Sequence, residues 1–180
     1  SNMLFDAPRG VTKVIESDNN DLTSTDANSL TSFDSDGFGL GTGAGGYNDD
    51  TENFVAWQWK AGGGAGSSNE DGTINTTTTT VNTTSGFSCS TYVGTGSVAT
   101  VGHGLGAVPA MMVVRNVDAA ENWRVYHKDN TTAPETEYLS WANDGATADL
   151  DTTWNDTAPT STVFTVGTSA ATNQSTKTMV

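Results

Sequence analysis

The sequence predicts an all-β chain, folded as an antiparallel β-sandwich or jelly roll. Three observations predict it: a threonine- and glycine-rich vocabulary, many short alternating segments, and turn clusters between them. Threonine occurs 31 times and glycine 20 times, while Leu, Lys, Glu and Arg, the good helix formers, are scarce. Branched Thr and Val suit a pleated surface, and Gly, Asn and Asp serve the turns. Strands are expected over residues 12–16, 37–42, 53–60, 86–94, 99–102, 110–116, 122–127, 137–141 and 162–167. Asp34-Ser35-Asp36-Gly37, Asn48-Asp49-Asp50 and Ala142-Asn143-Asp144-Gly145 punctuate them. Many short strands with frequent turns are the pattern of a sandwich or jelly roll.

Phe54-Val55-Ala56-Trp57-Gln58-Trp59 is largely apolar on both faces and reads as a central strand, so Trp57 and Trp59 are expected in the core. Met111-Met112-Val113-Val114 reads the same way. Residues 61–72 have no period and almost no apolar bulk, which predicts a flexible linker. Thr76 to Thr80 fits either a polar edge strand or extended chain, so the linker is drawn over residues 61–85.

An internal repeat suggests itself. Thr12-Lys13-Val14-Ile15-Glu16 aligns with Thr136-Glu137-Tyr138-Leu139-Ser140, Phe38-Gly39-Leu40-Gly41-Thr42 with Phe164-Thr165-Val166-Gly167-Thr168, and Thr51-Glu52-Asn53-Phe54-Val55 with Thr176-Lys177-Thr178-Met179-Val180. On this reading residues 1–60 are the C-terminal part of one repeat and residues 86–180 most of the next. The two would share one core as a permuted single domain, with the strand at Phe54–Trp59 filling the place that the second copy lacks. Ser1-Asn2 before Met3 reads as a cloning remnant, which implies a longer natural protein.

Composition narrows the function. Seven Lys and Arg against 21 Asp and Glu give a net charge of −14, which repels phosphate backbones and argues against a nucleic-acid partner. No run approaches the ~20 apolar residues needed to cross a bilayer, so membrane insertion is not expected. The single cysteine, Cys89, allows no intrachain disulfide and reads as a small apolar filler.

Site chemistry is sparse. Gly102-His103-Gly104-Leu105-Gly106 lacks the Gly-Lys-Ser/Thr ending of a phosphate loop, and glycine there serves a tight turn with His103 bonding locally. With two histidines and no Gly-x-Ser-x-Gly elbow, a Ser-His-Asp machine is not expected. A carboxylate pair for glycoside cleavage cannot be placed from sequence among 21 acids, most of which sit in turn clusters. Asp34-Ser35-Asp36-Gly37 opens like a calcium loop, but position 12 of that loop is Gly45 where a glutamate belongs. Asp34, Asp36, Asp49 and Asp50 are therefore weak metal candidates, with calcium the only cofactor they bring to mind, and the Asp149 and Asp151 pair is equally unspecific. Trp141 beside Asn143 and Asp144, and Trp154 beside Asn155, have the residue types of a sugar-gripping surface, an aromatic face flanked by polar side chains. A tryptophan buried under a loop is the competing reading for both.

The segments Arg9-Gly10-Val11-Thr12-Lys13, Asn28 to Phe38, Phe54 to Gly63, Val101-Gly102-His103-Gly104-Leu105-Gly106-Ala107-Val108-Pro109 and Ser161-Thr162-Val163-Phe164 resemble a repeat family in large structural proteins of marine bacteriophages and related metagenomic sequences. The resemblance implies a tail-fibre-type protein with a lectin-like β-sandwich and no assigned catalytic residues. It places the chain on the virion, outside the cell, as a non-enzymatic structural or host-recognition module. Its partners would be other virion proteins and a host surface glycan or protein. Fibre proteins commonly form symmetric homo-oligomers, although no heptad supplies a coiled coil here. The alternatives are a carbohydrate-binding, lectin-like module and a polysaccharide-degrading enzyme.

Overall fold

A computed structural model describes residues 2–42 and 46–180, so Ser1 and Gly45 lie outside the described residues. The chain is all-β with antiparallel sheets. In order come β1 (Met3–Leu4), β2 (Lys13–Glu16), β3 (Ser24–Thr25), β4 (Leu30–Phe33), β5 (Phe38–Leu40), β6 (Thr78–Asn82), β7 (Phe87–Val93), β8 (Ala99–Gly102), β9 (Met111–Val114), β10 (Arg124–His127), β11 (Glu137–Tyr138), β12 (Ala148–Asp149), β13 (Val163–Val166) and β14 (Thr178–Met179). Among the described residues two single-turn α-helices, α1 (Asp151–Trp154) and α2 (Ala170–Asn173), and a 3-10 turn at Pro134–Thr136 interrupt the strands.

Pairing is local in the first third, and afterwards local pairs are tied together by long-range ones, β13 with β8 and β14 with β7. β1, β2 and β3 form one small sheet, and β4 and β5 a hairpin closed by Asp34 N–H donating to Gly37 O at 3.0 Å. In the second part β14, β7 and β6 form a sheet, β13 pairs with β8, and β10 with β9. The alternation of β7 sends Tyr92 inward, opposite Met179 of β14, and leaves Thr91 and Val93 on the other face. Tyr92, Val101, Phe164, Val166, Trp154 and Met179 meet there with Ile74, Val114 and Tyr126 in the main core.

A second, smaller cluster joins the two ends of the chain. Ile15 and Leu4 pack with Val117, Trp123, Val113 and Val180. Two side chains from the later part hold backbone of the earlier: Trp123 Nε1 donates to Glu16 O and Asn19 O at 3.3 and 3.2 Å, and Arg115 Nη2 donates to Asp21 O at 2.6 Å. Buried Asn173 acts as a staple, its Nδ2 donating to Ser97 O and Gly167 O while its Oδ1 accepts from Thr95 N.

Three expectations are corrected. Phe54 to Trp59 is not a central strand: residues 53–60 carry no regular structure and every one is exposed. Trp57 and Trp59 are 76% and 66% exposed rather than in the core. Residues 61–85 are not a free linker, since Ile74 enters the core, Thr76, Thr79 and Thr80 are buried, and residues 78–82 form β6. Ser67 and Thr79 exchange backbone hydrogen bonds at 3.1 and 2.7 Å. Gly66 makes that approach feasible, because at φ +81° an added Cβ would sit 2.3 Å from Thr79 O. Those glycines supply close contact where the sequence reads as slack.

The repeat is not reproduced in the topology. β2 pairs with β1 and β3, whereas its aligned partner β11 pairs with β12. β5 closes a local hairpin, whereas β13 pairs with β8, some 60 residues back. Residues 51–55 are exposed, whereas Met179 is fully buried. Threonine- and glycine-rich strands resemble one another because they share a vocabulary, and that similarity does not specify a common partner.

Candidate functional site

Of the residues with sugar-binding chemistry, Trp141, Asn143 and Asp144 share one exposed loop. Val125 and Leu139 exchange backbone hydrogen bonds at 2.9 Å, which extends the β11 edge and delivers the chain to Trp141. Trp141 is 47% exposed and meets Trp123 edge-on, with ring centroids 5.7 Å apart at 69°. Trp123 is itself buried, fixed by its two indole hydrogen bonds, and has the Arg115 guanidinium carbon 5.7 Å from its ring centre. A projecting indole therefore stands on a rigid aromatic base. Asn143 Oδ1 accepts from Gly145 N at 3.0 Å, which shapes the loop, and Asn143 and Asp144 are both exposed on it.

Trp154 is elsewhere and cannot serve as a sugar platform. It is 1% exposed, donates Nε1–H to Glu137 O at 3.0 Å and meets Tyr126 edge-on. Its position on α1, capped by Asn155 in the left-handed conformation (φ 54°), turns the indole inward. Asn155 is exposed but serves as the helix cap, its N–H donating to Asp151 O.

The acidic candidates are turn residues. Ser32 Oγ donates to Asp34 Oδ2, and Asp36 is exposed in the same hairpin turn. Asp49 Oδ1 accepts from both Thr51 N and Thr51 Oγ1, and these bonds, the backbone one first, hold its carboxyl below the usual range. Asp50 is exposed next to it. Among the described residues no three His, Cys, Asp or Glu converge on a point where a metal would sit.

His103 is 6% exposed and fully engaged. Its Nδ1 accepts from Leu105 N and its Nε2 faces Thr160 O, both at 3.2 Å, so Nε2 carries the proton of a neutral ring. Burial lowers its pKa from 6.5, the neutral form being the one the site accommodates. Burial likewise pushes the Cys89 thiol up to about 12, which leaves it un-ionised and a poor nucleophile.

Sequence reasoning missed a cleft of about 440 Å³. Pro8, Arg9, Lys13 and Thr23 line one wall; Thr77, Thr91, Val93 and Thr178 on the outer face of the β14-β7-β6 sheet line the other, with Val117 and Asp118 alongside. Arg9 Nε is 2.5 Å from Asp6 Oδ2, and its Nη1 and Nη2 are buried with no hydrogen-bond partner. No local sequence signal marks this place, because its two walls lie 54 to 170 residues apart in the chain, from Thr23 and Thr77 to Pro8 and Thr178. Equally invisible was the exposed segment 53–60, whose apolar alternation pointed inward.

Among the described residues no helix is long and apolar enough to cross a membrane. Neither a curated protein nor a solved structure matches this chain. One family model, described as "Domain of unknown function (DUF7483)", matches residues 1–180. The chain therefore belongs, over its whole length, to the DUF7483 family.

Proposed function

We propose that the chain is a non-enzymatic structural or host-recognition module of a bacteriophage virion appendage, acting outside the cell. The observation that carries this reading is the outward display of large aromatic side chains: Trp57, Trp59 and Trp141 are 76%, 66% and 47% exposed. Exposed indoles cost solubility and mark surfaces that meet a partner, where Trp contributes more than most residues. The strands hold loops in place without needing chemistry from them, which is how recognition surfaces are commonly carried. The similarity of the chain's segments to marine phage structural repeats supplies the setting, and stacking of the small sheets as a lectin-like sandwich is the arrangement this reading expects. Partners are other virion proteins and a host surface glycan or protein, not nucleic acid.

A second reading, a carbohydrate-binding module, is favoured by one place: the Trp141 indole, braced by Trp123, on the same exposed loop as Asn143 and Asp144. An aromatic face flanked by amide and carboxylate groups grips a sugar ring by stacking and directed hydrogen bonds. A glycan array and marine polysaccharide pull-downs test both readings. Specific retention that falls at least about tenfold in Trp141→Ala, the worth of ~1.4 kcal/mol, supports the sugar site. Retention by host cells that ignores this substitution favours a protein receptor. Release of sugar fragments from any polymer would overturn the non-enzymatic reading.

A further inference from the structure

Residues 53–60 combine two properties that do not belong together in an isolated chain. Their sequence, Asn53-Phe54-Val55-Ala56-Trp57-Gln58-Trp59-Lys60, is that of a buried strand, yet all eight residues are exposed. Phe54, Val55, Trp57 and Trp59 are 51%, 78%, 76% and 66% exposed. Among the described residues, no backbone N–H or C=O of residues 53–59 takes part in a backbone hydrogen bond. Among the described residues the segment is tethered at its end, where Trp59 stacks on Phe87 with centroids 6.2 Å apart and Lys60 O accepts from Ser85 Oγ at 2.7 Å.

We propose that this arm pairs antiparallel with the same arm of a second copy of the chain, forming a two-fold symmetric β-ribbon. This inference does not rest on the phage reading. Three features argue for a second copy. The arm is self-complementary: with the two-fold axis at Trp57, antiparallel pairing sets Trp57 opposite Trp57 and, twice over, Val55 opposite Trp59 and Ala56 opposite Gln58, while Lys60 comes opposite Phe54, two residues from Glu52. Aromatic and aromatic–aliphatic cross-strand pairs are the ones that stabilise such ribbons.

Charge points the same way. Lys60 closes one end of the arm and the acidic run Asp49-Asp50-Thr51-Glu52 precedes the other. Antiparallel pairing brings each Lys60 to the acidic end of its partner, whereas parallel pairing would oppose lysine to lysine. At the stated exposures the four large side chains leave on the order of 500 Å² open per arm, and pairing covers the part of it that faces the partner strand. Pairing also satisfies a row of open backbone groups, as strand addition does at any exposed edge.

Sedimentation or light scattering of the full chain tests the proposal. The wild type is expected at twice its 18.7 kDa mass, and the Trp57→Asp, Trp59→Asp double variant at that single mass with an unchanged circular dichroism spectrum. A monomeric wild type, or an oligomer that survives both substitutions, would overturn it. Should the aspartate variant misfold, cross-linking decides. In a Cys89→Ser background, Ala56→Cys with Gln58→Cys should oxidise to a covalent dimer on a non-reducing gel, while either substitution alone should not. Failure of the pair to cross-link, or equal cross-linking by a single variant, refutes the register.

Discussion

Residues 176–180 and 51–55 carry closely similar patterns, Thr-Lys-Thr-Met-Val and Thr-Glu-Asn-Phe-Val, and end in opposite environments. Met179 is completely buried because β14 lies against β7, with Thr178 opposite Val93 and Met179 opposite Tyr92. Beyond it, Val180 and Arg115 exchange backbone hydrogen bonds at 2.9 and 2.8 Å. Residues 51–55 leave an aspartate-centred turn at Asp49 and find no neighbouring strand among the described residues. The pattern therefore grants a segment the capacity to be buried, and an available partner edge decides whether it is.

Four measurements would break or sharpen this contrast. Met179→Ala should destabilise the fold by about 2–5 kcal/mol, the range for emptying a buried methionine site, read from the urea midpoint. A loss below about 0.5 kcal/mol, the surface range, would mean that the two copies of the pattern are not in different environments. Gly66→Ala should cost about 1–3 kcal/mol through forced left-handed backbone and collision with Thr79 O, measured the same way. Near-neutrality there would restore the flexible-linker reading of that stretch.

His103 gives the buried half of the molecule an acid sensitivity that the exposed arm lacks. Its native pKa is lowered, so between that value and its ordinary 6.5 the unfolded chain binds the proton and the folded one does not. Stability should therefore be intact above about pH 6.5 and decline as pH falls toward the native value. Urea midpoints across that window should slope less in His103→Gln than in wild type, and identical slopes would remove His103 as the cause. Phe54→Ala should be the mildest change, within about 0.5 kcal/mol at the monomer level, while weakening self-association. A core-sized loss in a monomeric sample would place Phe54 inside the fold after all.

Much of the strand framework was legible locally. The expected span 99–102 coincides with β8, and the expected spans around 87–93 and 163–166 contain β7 and β13, because alternation and turn residues are short-range signals. The two helices were missed: each is one turn, far below the length at which a 3.6-residue period can be recognised. Of the candidate site, the turn at Asn143 and Asp144 was readable locally, whereas Trp141 was expected at the end of a strand with burial under a loop as the competing reading. Trp154 with Asn155 has the same local chemistry and was not distinguishable from it, since only packing against Tyr126 turns that indole inward.

By itself the sequence determined that this chain makes short antiparallel strands and carries a net charge of −14. Those properties follow from composition and from the two-residue period of a strand, which neighbours in the chain impose on each other. Tertiary structure alone decided which apolar segments meet, that a glycine-rich stretch is packed rather than loose, and that Arg9 and Thr91 face each other across a cleft. Such pairings depend on edges and distances between residues remote in the chain, and no local rule of sequence encodes which of several similar edges a strand will find.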